Sequence, residues 1–138
     1  MDFQSCIHFR DGKYDMLWGR DENLLSALVL GTRSGVGSTY NYAAPLYNML
    51  INAFDEGNMD LARNLQQKAI DMIRLLGKYG GIATGKAFMK YVGVNCGEFR
   101  LPVKNMNAAA YESFKQDVIS LNIEEYFSVH AKIKSDGI

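Results

Sequence analysis

The chain has 138 residues, and its 15 Lys and Arg balance its 15 Asp and Glu to give a formal net charge of zero. This length suits one domain, and the balanced charge, with no basic block, argues against a nucleic-acid binder. No apolar run approaches the ~20 residues needed to cross a bilayer, and no signal-peptide pattern follows Met1. We therefore expect a soluble, cytoplasmic protein with no nucleic-acid or membrane partner.

The first third of the sequence alternates helical and strand patterns. Apolar residues at helical spacing predict the last turns of a helix over 2–10, and a mainly apolar run predicts a buried strand over 14–18. A second helix is predicted over 24–29, with Asp21 as its N-cap and Gly31 as its stop.

The next stretch combines two glycines with two hydroxyl residues. Gly35 and Gly37 remove side chains from a short predicted strand, which indicates that another group comes close to the backbone there. A bound ligand is one candidate for that group, and a bulge or tight bend is the other. Ser38 and Thr39 follow at once. The run 31–39 lacks the lysine of a phosphate-binding loop, so we reject that interpretation.

The rest of the chain reads as helices. Apolar periodicity predicts helices over 42–56, 59–79, 82–92 and 107–121. Asn58 is the expected N-cap of the longest of them. Two strands cannot cover so many apolar helix faces, so we expect a homo-oligomer.

Polar residues follow both predicted strands at the same end. Asp21 and Glu22 come after the first strand, and Ser38 and Thr39 come after the second. Because the carboxyl ends of parallel strands share one edge, these groups are expected to meet there. Carboxylates beside hydroxyls suit a polyhydroxylated ligand. The alternative is that Asp21 only caps its helix and Glu22 only adds charge to the first turn.

Other reactive residue types give no site. Cys6 and Cys96 show no metal-ligand spacing, so we expect free, buried thiols. His8 and His130 lie near the two ends of the chain without a nucleophile beside them, so no catalytic triad is predicted. We expect no metal and no cofactor.

Two motifs together suggest a family. Gly19-Arg20-Asp21-Glu22 followed by Gly35-Val36-Gly37-Ser38-Thr39-Tyr40-Asn41 closely resembles the N-acetylneuraminate lyase branch of the dihydrodipicolinate synthase superfamily, with similarity over about 2–121. Such proteins are (β/α)8 TIM barrels with extra C-terminal helices, and they are usually homotetramers. They cleave N-acetylneuraminate (sialic acid) to pyruvate and N-acetylmannosamine through a Schiff base.

The resemblance implies an α/β fold consisting of the last two parallel strands of such a barrel and its terminal helices, mostly helical by content. Residues 1–56 would be the end of the barrel, 57–128 a helical extension and 129–138 a tail. By the same resemblance the substrate-binding residues would be Gly19, Asp21, Glu22, Gly37, Ser38 and Ile82. Asp21, Glu22 and Ser38 would hold the hydroxylated tail of the sugar acid.

No catalytic residue of the family matches a position in this chain. The Schiff-base lysine is expected on a strand that would precede Met1, and the lysines from Lys13 to Lys115 lie in turns, loops or polar helix surfaces that do not suit an imine-forming amine. The isolated chain is therefore expected to be inactive. The alternatives are a related 2-keto acid aldolase for another sugar acid, or a non-catalytic oligomerising or sugar-binding helical module.

Overall fold

The computed structural model describes residues 2–128, so the tail predicted for 129–138 lies outside the described residues. As expected, the described chain is mostly helical with one pair of parallel strands. The elements are α1 (Asp2–Ile7), β1 (Leu17–Trp18), α2 (Leu24–Leu30), β2 (Ser34–Gly35), α3 (Tyr40–Asp55), α4 (Met59–Lys78), α5 (Ile82–Tyr91) and α6 (Ala108–Ser120), with 3-10 turns at Asp21–Asn23 and Glu124–Tyr126.

The helix ends follow local chemistry closely. The side chain of Asn58 accepts a hydrogen bond from the Leu61 N–H, which confirms it as the N-cap of α4. Asn107 caps α6 in the same way. Gly31 ends α2 in the left-handed region at φ 107°, where a glycine has no steric penalty. The signals of Asn58 and Gly31 are read correctly from the sequence because each acts over only a few residues, whereas Asn107 is predicted as part of the helix and not as its cap.

The predicted first helix is too long. It ends at Ile7 rather than at Arg10. Arg10, Asp11 and Gly12 all have positive φ values, of 50°, 57° and 73°, which a right-handed helix cannot accommodate. The turn predicted at Asp11-Gly12 therefore begins at His8, three residues earlier than expected.

The predicted strand over 14–18 is shorter and less buried than expected. Only Leu17 and Trp18 pair with β2, opposite Ser34 and Gly35. Leu17 is 54% exposed, so the prediction of a buried strand is wrong. The physical reason is that this strand has one neighbour among the described residues, which leaves much of its surface without cover.

Helix α3 contains a break in its first turn. Ala43 has φ −131° and ψ 30°, which are not helical values. Pro45 therefore lies in the first turn of the regular helix that follows the break. A proline is tolerated there because the first N–H groups of a helix have no partner within the helix.

The core is made by helices packing on one another rather than on a sheet. Helices α3 and α4 make its centre, with α2, α5 and α6 around them. The expectation of a homo-oligomer assumed that these apolar faces would lack cover, and the helices cover most of them by packing on each other, although Val29, Met49 and Leu61 remain exposed. The homo-oligomer itself stays a prediction. The largest fully buried side chains are Tyr42, Phe88, Phe114, Leu46, Leu50, Leu65, Met72, Ile123 and Val118.

The cysteines are free, as predicted, but both are exposed rather than buried. Cys6 lies on the short helix α1, which has no buried residue, and Cys96 lies in the loop between α5 and α6. Over 2–128, no cluster of His, Cys, Asp and Glu has the arrangement of a metal site. No helix in that range is long and apolar enough to span a membrane.

Candidate functional site

Five of the six predicted site residues line one hollow of about 190 Å³. It lies between the loop that follows β1 and the loop that follows β2, because the parallel pairing of these strands brings their carboxyl ends together. Helix α4 closes one side with Ile73 and Leu76. The predicted residues that line the hollow are Gly19, Asp21, Glu22, Gly37 and Ser38.

Asp21 connects the two loops. Its side chain is buried, and its Oδ2 accepts hydrogen bonds from the Thr39 backbone N–H at 3.1 Å and the Thr39 hydroxyl at 2.5 Å. It makes no capping bond at the start of α2, so the prediction of Asp21 as an N-cap is wrong. The Asp21 carboxylate therefore bonds to the loop after β2 and not to the N–H groups at the start of α2.

The hydrogen bonding continues from Thr39 into the core. The Thr39 Oγ1 lies 2.6 Å from the Tyr47 hydroxyl oxygen. Because a threonine hydroxyl has one proton, and this one donates it to Asp21, the Tyr47 hydroxyl must be the donor to Thr39. Burial raises the pKa of Tyr47 far above its usual value, and the hydrogen bond to Thr39 only partly opposes this shift. Tyr47 therefore stays a proton donor at any physiological pH.

Gly35 of β2 and Gly37 of the following loop lack side chains where two other side chains of this protein pack, those of Tyr40 and Asp21. A Cβ added to Gly37 would lie 1.7 Å from the Oδ1 of Asp21, and one added to Gly35 would lie 2.8 Å from the Tyr40 hydroxyl. Real Cβ contacts are never that close, so any larger residue forces Asp21 or the loop to move. The group predicted to approach this backbone is thus the Asp21 carboxylate at Gly37 and the Tyr40 ring at Gly35.

The second oxygen of the buried carboxylate faces the Tyr40 hydroxyl. The Asp21 Oδ1 and the Tyr40 hydroxyl are both shielded from solvent, and neither makes a hydrogen bond of good geometry to another group among residues 2–128. Burial, followed by the charge of Asp21, raises the pKa of Tyr40 well above its usual value. The Tyr40 hydroxyl is therefore a donor available to this carboxylate, and it keeps its proton at physiological pH.

Glu22 provides the exposed carboxylate of the hollow. Its Oε1 accepts from the Arg20 guanidinium at 2.8 Å and 3.1 Å. Its own backbone N–H, and then Arg20, lower the pKa of Glu22 below its usual value. The side chain is 38% exposed, so it remains accessible to a ligand as an acceptor.

Ser38 is exposed at the opposite side of the hollow. Its carbonyl accepts from the side-chain amide of Asn41 at 3.0 Å, which holds the turn. Its hydroxyl makes no hydrogen bond within the described chain and can therefore donate to or accept from a ligand. Together Glu22 and Ser38 present the acceptor and donor groups that a polyol requires.

Ile82 does not join the other predicted site residues. It is the first residue of α5, is 66% exposed, and does not line the hollow. The apolar part of the lining comes from Ile73 and Leu76 of α4 instead. His8 is exposed, and His130 lies outside the described residues.

Sequence reasoning missed the residues that support this site. Thr39 is noted only as a hydroxyl beside Ser38, and Tyr47 and Gln66 are not singled out. Gln66 is buried on α4 and bonds to the loop after β1. The available signal is its position, because it falls among the buried residues Ala62, Leu65 and Ala69. A polar residue on an apolar helix face indicates a specific partner.

No lysine in the described chain has the setting of a Schiff-base residue. None is buried. Lys78, for example, pairs with Asp117, and this hydrogen bond raises the pKa of the lysine rather than lowering it. An imine-forming lysine needs the opposite shift, which comes from enclosure away from water.

Comparison with known proteins places these features in a family. Residues 5–121 match the model of the dihydrodipicolinate synthetase family. N-acetylneuraminate lyase from Homo sapiens is 36% identical over 127 residues, which cover 88% of this chain and 39% of the relative. The chain thus spans about two fifths of that relative's length.

Solved structures agree with the sequence comparison. Proteus mirabilis N-acetylneuraminate lyase is 39% identical with a TM-score of 0.83, over 88% of this chain and 41% of that one. The native N-acetylneuraminate lyase (sialic acid aldolase) of Aliivibrio salmonicida is 38% identical with a TM-score of 0.86, over 94% and 42%. With a family match across most of its length and relatives above 30% identity, the chain belongs to the dihydrodipicolinate synthetase family.

Proposed function

We propose that this chain forms the sugar-tail half of an N-acetylneuraminate lyase site, which acts in a complete enzyme that cleaves N-acetylneuraminate to pyruvate and N-acetylmannosamine. The observation that supports it most is the meeting of Glu22, Ser38 and the glycine backbones of 19 and 37 around one hollow. Asp21 at its base is a buried carboxylate that ties the two loops together through Thr39. The relatives named above are themselves N-acetylneuraminate lyases.

The lining matches the chemistry of a hydroxylated chain. Each ligand O–H needs an acceptor for its proton and, where possible, a donor for its oxygen. Glu22 supplies an acceptor, Ser38 supplies both functions, and Ile73 with Leu76 can contact the C–H groups between the hydroxyls. In this proposal Ile82 keeps a role in the wall on the resemblance alone.

The bond-breaking chemistry would come from elsewhere in the complete enzyme. Cleavage next to a ketone requires a lysine imine that accepts the released electrons. Because no described lysine is buried, we assign the imine-forming lysine to a barrel strand outside residues 2–128. This chain would correspond to the last two barrel strands and the terminal helices of such an enzyme.

Titration of the chain with N-acetylneuraminate, followed by NMR, tests the site. Glu22→Gln and Ser38→Ala should each weaken binding by about 1–3 kcal/mol, the value of a hydrogen bond lost from a polar site. Ser26→Ala, an exposed serine on α2, is the matched control and should leave binding unchanged. Pyruvate, which lacks the hydroxylated tail, should show no dependence on either site variant.

The same titration separates the alternatives. A related 2-keto acid aldolase would favour a sugar acid with a different tail over N-acetylneuraminate, and both site variants would then affect that ligand instead. Binding of N-acetylneuraminate with equal affinity by the wild-type chain, Glu22→Gln and Ser38→Ala would contradict the proposed site.

A further inference from the structure

Helix α2 is capped by a residue of another helix. Its second N–H, from Leu25, has no carbonyl partner within the helix and donates instead to the Oε1 of Gln66 at 2.9 Å. The Nε2 of the same side chain donates to the backbone carbonyl of Asp21 at 3.2 Å. Gln66 belongs to α4 and is 8% exposed. It therefore holds the backbone on both sides of Glu22 at once.

The residues next to α2 that could cap it are occupied elsewhere. The Asn23 Oδ1 accepts from the Trp18 indole at 2.9 Å, and no side chain of the loop caps the helix. The Asp21 Oδ2 accepts from Thr39 on the neighbouring loop. Aspartate at the start of a helix ordinarily bonds to first-turn N–H groups. Here that task belongs to Gln66.

We infer that Gln66 is a positioning residue for the sugar-tail site: it caps α2 in place of Asp21 and so leaves the Asp21 carboxylate to join the two loops of the hollow. The inference rests on the proposed function for its ligand. The structural part of the inference, that Gln66 keeps Asp21 against Thr39, does not depend on the proposed function.

The consequence of losing Gln66 follows from competition for one carboxylate. Without the Gln66 acceptor, the Leu25 N–H is left unpaired, and Asp21 precedes it by four residues at the start of the helix. An unpaired N–H at a helix start attracts a carboxylate through both its hydrogen bond and the helix dipole. Movement of Asp21 toward Leu25 removes the acceptor of the Thr39 N–H and opens the hollow beside Gly37.

The test compares Gln66→Met, which keeps the size of the side chain and removes both hydrogen bonds, with Gln67→Met. Gln67 is the neighbouring residue on α4, exposed and bonded only to Asp71 at 2.9 Å. Three quantities are measured for each 138-residue chain: the thermal midpoint, the Thr39 amide proton resonance, and the affinity for N-acetylneuraminate.

We expect Gln66→Met to remain folded at the titration temperature, to shift the Thr39 resonance, and to weaken N-acetylneuraminate binding about tenfold, the effect of one well-placed hydrogen bond. Gln67→Met should change neither the resonance nor the affinity. A role in stability alone would lower the thermal midpoint of Gln66→Met and leave the resonance and the affinity of the folded protein unchanged, which would overturn the inference.

Two further outcomes are decisive. If Gln66→Met does not fold, Gln66→Glu takes its place: it keeps an acceptor for the Leu25 N–H, so α2 stays capped and Asp21 should stay against Thr39. An unchanged Thr39 resonance and unchanged N-acetylneuraminate binding by folded Gln66→Glu support the inference, and a shifted resonance with weaker binding overturns it. If the wild-type chain does not bind N-acetylneuraminate, the proposed function fails, whereas the Thr39 resonance still decides whether Gln66 places Asp21.

Discussion

The tightest contact at the level of single residues is the one between Gly37 and Asp21. A methyl group at Gly37 would lie 1.7 Å from the Asp21 Oδ1 and within 2.5 Å of its other carboxylate atoms. The carboxylate has no free space to move into without giving up its bonds to Thr39. A glycine is thus required at this position by the folded protein itself, before any ligand binds.

Gly37→Ala should lower the free energy of unfolding by about 3 kcal/mol or more, because it adds volume to a filled space and displaces a buried, hydrogen-bonded carboxylate. Gly77→Ala is the control, since no atom lies within 4 Å of its Cβ position on α4. That variant should be neutral or more stable by up to about 1 kcal/mol. Urea unfolding of both variants measures the difference.

The double variant Gly37→Ala with Asp21→Ala identifies the cause. If the clash with Asp21 is responsible, the two substitutions together should destabilise the protein by less than the sum of their separate effects. Strict additivity would show that Gly37 is needed for some reason other than the carboxylate.

At the level of elements, the packing of α3 against α5 depends on one stacked pair. Tyr42 lies parallel to Phe88 with ring centroids 4.5 Å apart, and Phe88 in turn contacts Phe114 of α6 edge-on. Tyr42 is 1% exposed, yet its hydroxyl has no hydrogen-bond partner within the described residues. The ring therefore stabilises the packing while the hydroxyl opposes it.

Tyr42→Phe should raise the free energy of unfolding by about 1 kcal/mol at pH 7, since it removes an unpaired buried hydroxyl and keeps the stacked ring. Burial, followed by the charge of Asp21, raises the pKa of Tyr42 above its usual value near 10. Above about pH 10 the unfolded chain loses the Tyr42 proton while the folded chain keeps it, so the free energy of unfolding is constant below about pH 10 and falls as pH rises toward the higher folded-state pKa.

Thermal midpoints measured between pH 8 and pH 11 test both parts of this prediction. The wild-type midpoint should fall more steeply above pH 10 than that of Tyr42→Phe. Parallel curves for the two proteins, or a lower midpoint for Tyr42→Phe at pH 7, would show that the hydroxyl has a partner.

Elements were predictable where the signal is local and less so where it depends on neighbours. The start of α4 follows from Asn58, whose side chain bonds to the N–H three residues further on, and Asn107 gives the same local signal at the start of α6. The extent and burial of β1 depend on how many strands lie beside it, and the sequence of residues 14–18 does not determine that number. Pairing of Asp21 with Thr39, across 18 residues, likewise depends on tertiary contacts.

The site shows the same division. The positions of Glu22 and Ser38 at the two strand ends could be predicted, because strand order and direction determine which loops meet. The role of Gln66 could not, because it requires knowing that α4 packs across the loop after β1. A residue that acts from a distant helix leaves no motif near the site that it supports.

At the level of the whole molecule, the described chain combines a helical core with a small, exposed pair of strands. None of its described lysines is enclosed, so residues 2–128 offer polar groups around the hollow but no amine able to hold an imine away from water. We therefore expect this chain to bind its ligand without cleaving it.

Incubation of the chain with pyruvate and borohydride should give no stable adduct on its lysines by mass spectrometry, and N-acetylneuraminate should not be turned over. The physical reason is that an exposed lysine remains protonated at neutral pH and is a poor nucleophile. A single modified lysine, accompanied by turnover of N-acetylneuraminate, would show that the chemistry resides in this chain. Low-level modification spread over several lysines, without turnover, would not count as evidence of a catalytic lysine.

The two loops of the hollow also bear on how such a protein can diversify. Its rim comes from two short peptides, 19–22 and 37–38, that are tied together through Asp21 and Thr39 and rest on α4. Substitutions at Glu22 or Ser38 change the polar groups presented to a ligand without touching the buried helices. A few substitutions at these exposed positions in a duplicated gene could thus change the ligand specificity of the hollow. Asp21, Gly37 and Gln66 would stay the same, because their contacts with Thr39, with each other and with the start of α2 hold the two loops in place.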